Sequence, residues 1–213
     1  MLASSVGQWT RLRLTAGKLL PVARVSCFLL LVSAKYSFRF ESRDRKRALP
    51  GSVLIAQNDT ETIAHVLLKL LGFLLFYRER LQLEGDVHND SIVFRPDLVW
   101  LDYELRPKLW IECGECSVQK LNKLAVKVPE AEIWVLKRSP AQADHLLAAM
   151  KKEELRRGRY QVLAFDPEMF DELCGLLSAR NQVVWFGANF EHGQMQFEFN
   201  ELWFDAPFTV LSF

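Results

Sequence analysis

Cysteine is scarce in this 213-residue chain, with only Cys27, Cys113, Cys116 and Cys174. A chain this long can bury a core without covalent staples, so the four thiols exclude a small secreted disulfide framework and suit a reducing, cytoplasmic setting. Also missing are a glycine-rich phosphate loop, a serine-centred triad and a dinucleotide fingerprint, which removes the common nucleotide-handling and ester-cleaving classes. There is no internal repeat or low-complexity tract. The early apolar stretch from Val25 to Ala34 is ten residues long, too short to span a bilayer. It fits the apolar part of a secretory signal, although the basic region before it is long and contains Pro21. Residues 1–33 thus read as an N-terminal extension that is poorly ordered, signal-like, or the product of a start codon placed too far upstream. No other stretch is a candidate for integral membrane association.

Charge of one sign is lacking as well. The formal net charge is +1, but residues 1–35 hold five basic side chains and no acidic one. Removing those five from 27 leaves 22 basic against 26 acidic residues in the remainder. A mildly acidic body is not the usual signature of a dedicated nucleic-acid binder, which shows a basic face.

What is present is alternation and helical spacing. Tyr36 to Phe40 alternates apolar and polar residues, and Ser52 to Ala56 follows the Pro50-Gly51 turn as its partner. Ile63, Val66, Leu67, Leu70, Leu71, Leu74 and Leu75 form an apolar helical stripe. Asn58 followed by Glu61 has capping-box character, and Arg78 and Arg80 stand where cations complement a helix dipole. Two β-prone runs, 98–101 and 109–111, flank a polar break containing Pro107. A short helix ends at Pro129, and 132–136 is a strand. Ser139-Pro140 opens a helix expected to run to about Arg157, followed by a strand at 160–165, a helix over 167–179 and a strand at 182–186. His192-Gly193 marks a final hairpin. The order β-β-α-β-β-α-β-α-β-α-β-β predicts an α/β fold with a mixed sheet and flanking helices, forming one domain over 34–213.

The central hairpin carries the chemistry. With its turn between Glu104 and Leu105, facing residues have numbers that sum to 209, which pairs Asp97 with Glu112. Two carboxylates directly opposite stand roughly 5 Å apart at Cβ and repel unless a positive charge lies between them. A hard divalent cation such as Mg²⁺ suits that arrangement. A metal-assisted hydrolase would add an amine to orient water or stabilise developing charge. Gly114 cannot supply it. Lys120 sits at the boundary of the following helix and can lean over the strand ends, whereas Lys123 points closer to solvent. Glu61 is either a capping residue or a third acid. Cys113-Gly114-Glu115-Cys116 has the spacing of a dithiol redox site, but no proline stands between Pro140 and Pro167 to complete one. The histidines His65, His88, His145 and His192 show no zinc spacing.

The succession Asn58-Asp59-Thr60-Glu61-Thr62, Glu79-Arg80-Leu81-Gln82, Pro96-Asp97-Leu98, Leu109 to Gly114, Lys120 to Lys123 and Ile133-Trp134-Val135 resembles the YaeQ family over roughly residues 34–199. That resemblance implies a restriction-endonuclease-like fold of the PD-(D/E)XK group and a metal-dependent nuclease acting on nucleic acid. The alternative is a non-catalytic interaction protein that keeps the fold. It also implies Asp97, Glu112 and the Cys113 carbonyl as Mg²⁺ ligands, with Lys120 or Lys123 and Glu61 assisting. Gly114 departs from the nuclease pattern, where a lysine is expected.

Overall fold

A computed structural model describes residues 34–87 and 92–213. The expected extension over 1–33, with Cys27, lies outside the described residues, as does His88.

The first strand pair is β1 (Lys35–Ser42) and β2 (Ser52–Ala56), followed by helix α1 (Ile63–Phe76). Three strands come next: β3 (Leu81–Leu83), β4 (Leu98–Leu101) and β5 (Pro107–Cys113). Helix α2 (Val118–Lys127), β6 (Glu132–Lys137), α3 (Pro140–Lys152), β7 (Tyr160–Phe165) and α4 (Pro167–Leu176) then alternate. The chain finishes with β8 (Arg180–Asn189), β9 (Gln194–Phe199) and β10 (Leu202–Ser212). All ten strands join one mixed sheet in the order β2-β1-β8-β9-β10-β7-β6-β5-β4-β3. The α/β expectation with four helices stands, and β3 and β10 are added to it. No described helix is long and apolar enough to cross a membrane.

One core joins α1 to inward residues from both ends of this strand order, from Phe38 and Ile55 to Leu98 and Ile111. Every α1 residue from Val66 to Phe76 is buried, so the helix carries more than a stripe. Gly72 lets it lie close to the sheet, since a β-carbon there would meet Leu136 Cδ1 at 2.7 Å. On the opposite face, α2 and α3 cover Val99, Trp110, Ile133, Val135 and Val162. Both faces of β4 to β7 are therefore covered, which matches their runs of apolar residues.

Three local expectations change. The α1 cap is Thr62, whose hydroxyl accepts from His65 N at 3.4 Å, while Asn58 and Glu61 close a turn ahead of the helix. The last α1 carbonyls, Leu74 O and Leu75 O, accept from Arg47 at 2.8 and 2.9 Å, not from Arg78 or Arg80. Those two arginines lie over the rings of Trp100 and Tyr103. Helix α3 stops at Lys152, where Glu154 takes φ +51° and Leu155 turns inward to bury its side chain.

Candidate functional site at the strand ends

The hairpin register is as its spacing predicts for three pairs: Leu98 faces Ile111, Val99 faces Trp110 and Trp100 faces Leu109. A bulge then moves Leu101 opposite Pro107, with Asp102 Oδ1 accepting from Glu104 N and Arg106 N to hold the turn. At the other end, Asp97 N donates to Ile111 O at 3.1 Å. Asp97 and Glu112 are thereby held at the mouth of the same two strands.

Both acids line a cavity of about 530 Å³, together with Glu61, His65, Cys113 and Lys120. Their carboxylates are engaged differently. Asp97 Oδ2 accepts from Cys113 N at 2.7 Å, and its Oδ1 stands 2.8 Å from His65 Nε2. Glu112 Oε1 accepts from Trp110 Nε1 at 2.7 Å, and its Oε2 from Lys120 Nζ at 2.6 Å. Burial raises Glu112 above the ordinary carboxylate range even though Lys120 pulls it down. Of the two lysines expected here, Lys120 reaches the site. Lys123 is exposed on α2 and does not line the cavity, because its position faces away from the buried Leu121, Leu124 and Ala125.

Glu61 is an acid of the site. Its Oε1 lies 3.3 Å from His65 Nε2 and accepts from Lys69 Nζ at 2.7 Å. Burial would raise its pKa, but the bonds from Lys69 and Asn58 hold it below the usual range. Among the described residues, Glu61, His65 and Asp97 each offer a donor atom within 4.8 Å of the other two. Glu112 is not a member of that triple.

Sequence reasoning passed over His65, Lys69 and Glu84. Lys69 has no exposed surface and joins Glu61 and Glu84, with Asp97 Oδ1 at 3.9 Å. Burial would lower its pKa, and the two glutamates hold it above the ordinary lysine value instead. The signal was there: Glu61, His65 and Lys69 recur every four residues, and the last two make a polar line down one side of an otherwise apolar helix. A lone lysine inside such a helix must be paired. Glu84, which follows β3 with φ +48°, carried no comparable local signal.

Gly114 has φ +73°, a region that side-chain-bearing residues avoid. A β-carbon there would stand 3.4 Å from His65 Nδ1. Its carbonyl accepts from the buried Lys137 Nζ at 2.6 Å. The dithiol reading gains no support, since Cys113 is buried. Burial pushes the Cys113 thiol well up and Cys116 to about 12, opposite to the depressed value of a reactive thiolate.

Fold and site together define a mixed α/β protein with an acid-rich pocket at the open ends of two adjacent strands near one edge of the sheet. The sequence profile of the YaeQ protein matches residues 32–198, and the chain belongs to the YaeQ family. It is similar in structure to the YaeQ protein from Xanthomonas axonopodis pv. citri, at 21% identity and a TM-score of 0.60, covering 85% of this chain and 99% of that one. It is also similar to the YaeQ protein from Pseudomonas syringae, at 19% identity and a TM-score of 0.65, covering 85% and 97%. At these identities the likeness establishes the fold. No curated protein matches the chain.

Proposed function

We propose that the chain is a metal-dependent phosphodiester hydrolase acting on nucleic acid, built on the restriction-endonuclease-like plan of the PD-(D/E)XK group. The observation that carries this reading is the convergence of Asp97, Glu112, Glu61 and Lys120 on one cavity at the ends of two adjacent strands. Carboxylates beside a backbone carbonyl are the donors a hard divalent cation takes, so the residues fit Mg²⁺. Asp97 and Glu112 would hold it, with the Cys113 carbonyl beside them. When bound, such a cation polarises a phosphoryl oxygen and activates water.

The chain's own groups have separable tasks. Lys120, tied to Glu112 at 2.6 Å, brings an ammonium to the pocket that can orient a nucleophile or meet developing negative charge. Arg95 and Arg138 add positive charge to the same lining and suit a phosphate backbone. Glu61 braces the α1 side. A second reading, a binding protein that keeps the fold without cleavage, is favoured by Gly114 in the expected lysine position and by the engagement of both Glu112 oxygens.

Incubation with single- and double-stranded DNA and RNA in Mg²⁺ or Mn²⁺ tests the choice. Cleavage that drops ~100-fold or more in Asp97→Asn and in Glu112→Gln supports hydrolysis. Activity unchanged in both variants, or no cleavage of any substrate, leaves only the binding reading.

A further inference from the structure

We infer that the cation in this pocket is coordinated by an imidazole nitrogen: His65 Nε2 joins Asp97 and Glu61 in a mixed nitrogen–oxygen site that takes Mn²⁺, Co²⁺ or Zn²⁺ in preference to Mg²⁺ or Ca²⁺. The inference rests on the metal-dependent reading above and departs from it in the ligands: Glu61 and His65 stand with Asp97 in place of Glu112, whose oxygens are taken by Trp110 and Lys120.

Geometry is the first support. His65 Nε2 stands 2.8 Å from Asp97 Oδ1 and 3.3 Å from Glu61 Oε1. The 2.8 Å contact is that of a hydrogen bond, which cation binding would replace; two donors about 2.1 Å from one cation and at right angles stand ~3.0 Å apart, so the three groups need move little to become its ligands. Glu61 stands in the turn just ahead of the α1 cap and His65 in the first turn of the helix, next to its buried part. Asp97 is fixed by its bond from Cys113 N.

Charge is the second support. Glu61, Glu84 and Asp97 surround one ammonium, that of Lys69. Three carboxylates against one lysine leave this cluster negative, while Glu112 pairs with Lys120 alongside and Arg95 and Arg138 belong to the same lining. Lys69 keeps the acids together but leaves the cavity side of His65 to the pocket.

Donor chemistry is the third support. Gly114, at φ +73°, brings no side chain to His65, and the β-carbon it lacks would make only an ordinary contact with Nδ1, at 3.4 Å. Imidazole favours transition metals, whereas Mg²⁺ and Ca²⁺ favour oxygen.

The experiment is Mn²⁺ titration of the full chain, read by the electron paramagnetic resonance of free Mn²⁺, with pulsed detection of nitrogen coupling on the bound ion. The wild type should bind Mn²⁺ with ¹⁴N modulation from one imidazole, and Mg²⁺ should displace it only at about a hundredfold excess or more. His65→Gln should lose the nitrogen signal and bind Mn²⁺ about tenfold or more weakly, and Glu61→Gln should bind more weakly while keeping the signal. Circular dichroism identifies any variant that fails to fold, and the wild-type nitrogen signal needs no variant. Bound Mn²⁺ without nitrogen coupling, equal displacement by Mg²⁺, or no binding at all would each overturn the inference. Nitrogen-coordinated Mn²⁺ without nucleic-acid cleavage would keep this site and sink the hydrolase.

Discussion

At the residue scale, the outcome turns on a few charges set into apolar surroundings. Lys69 is the clearest. Its ammonium holds Glu61 and Glu84 and faces Asp97, and removing one partner of a buried ion pair is far costlier than never having the pair. Lys69→Met should destabilise the fold by about 3–5 kcal/mol, measured by urea denaturation, because three carboxylates then share one pocket without a counter-charge. A loss below about 1 kcal/mol would mean that the acids spread apart at little cost. Lys137 makes the opposite case. Burial pushes it below the ordinary lysine range, so the unfolded chain binds more protons than the folded one as pH approaches the unfolded value near ~10.4. Its contribution to stability consequently rises with pH. As pH rises toward about 10.4 the wild type should gain melting temperature relative to Lys137→Met. A difference that stays flat over that range would show the amine to be well solvated.

At the element scale, α1 organises the site. Its N-terminal turn presents His65 beside Glu61 of the preceding turn, its buried middle holds Lys69, and its close seat on the sheet depends on Gly72. Gly72→Val should cost about 1–3 kcal/mol by driving the helix off Leu136, and it should disturb the pocket even though it touches no site residue. Thermal melts with Mn²⁺ binding as a second readout check this; a stable variant with unaltered binding would mean that Leu136 absorbs the added bulk. The cap is a separate contribution. Thr62→Ala removes the acceptor for His65 N and should cost about 0.5–2 kcal/mol, while Asn58→Ala, ahead of the true cap, should leave the helix end intact.

At the scale of the molecule, β10 holds the two halves of the sheet together. Residues 202–207 pair with β9, and 208–212 pair with β7. Pro207 stands where the strand changes partner, the place where a missing N–H does least harm to the ladder. Truncation after Ala206 would expose the edge of β7 and separate β9 from the site-bearing strands. The truncated chain should lose its single cooperative melt by circular dichroism and become prone to aggregation. An unchanged melting profile would mean that α1 alone suffices to unite the halves.

Local pattern determined a good deal of this protein. Alternation and helical spacing located four helices and most strands, since each reports which face of an element must be buried. The symmetry of the 98–111 hairpin suggested a register that the structure follows for three pairs before the bulge at Leu101; the spacing alone left a one-residue slip open. That register placed Asp97, Glu112 and Lys120 at one site, and Glu61 among its candidates. Only the tertiary structure decided the rest. Strand β3 is too short to show a period, β10 is broken by Pro207, and Glu84 reaches Lys69 from a different element. The recurrence of Glu61, His65 and Lys69 every four residues was legible along the chain, but their meeting with Glu84 and Asp97 was not, because those acids come from other elements and no window of neighbouring residues holds both sides of the pairing.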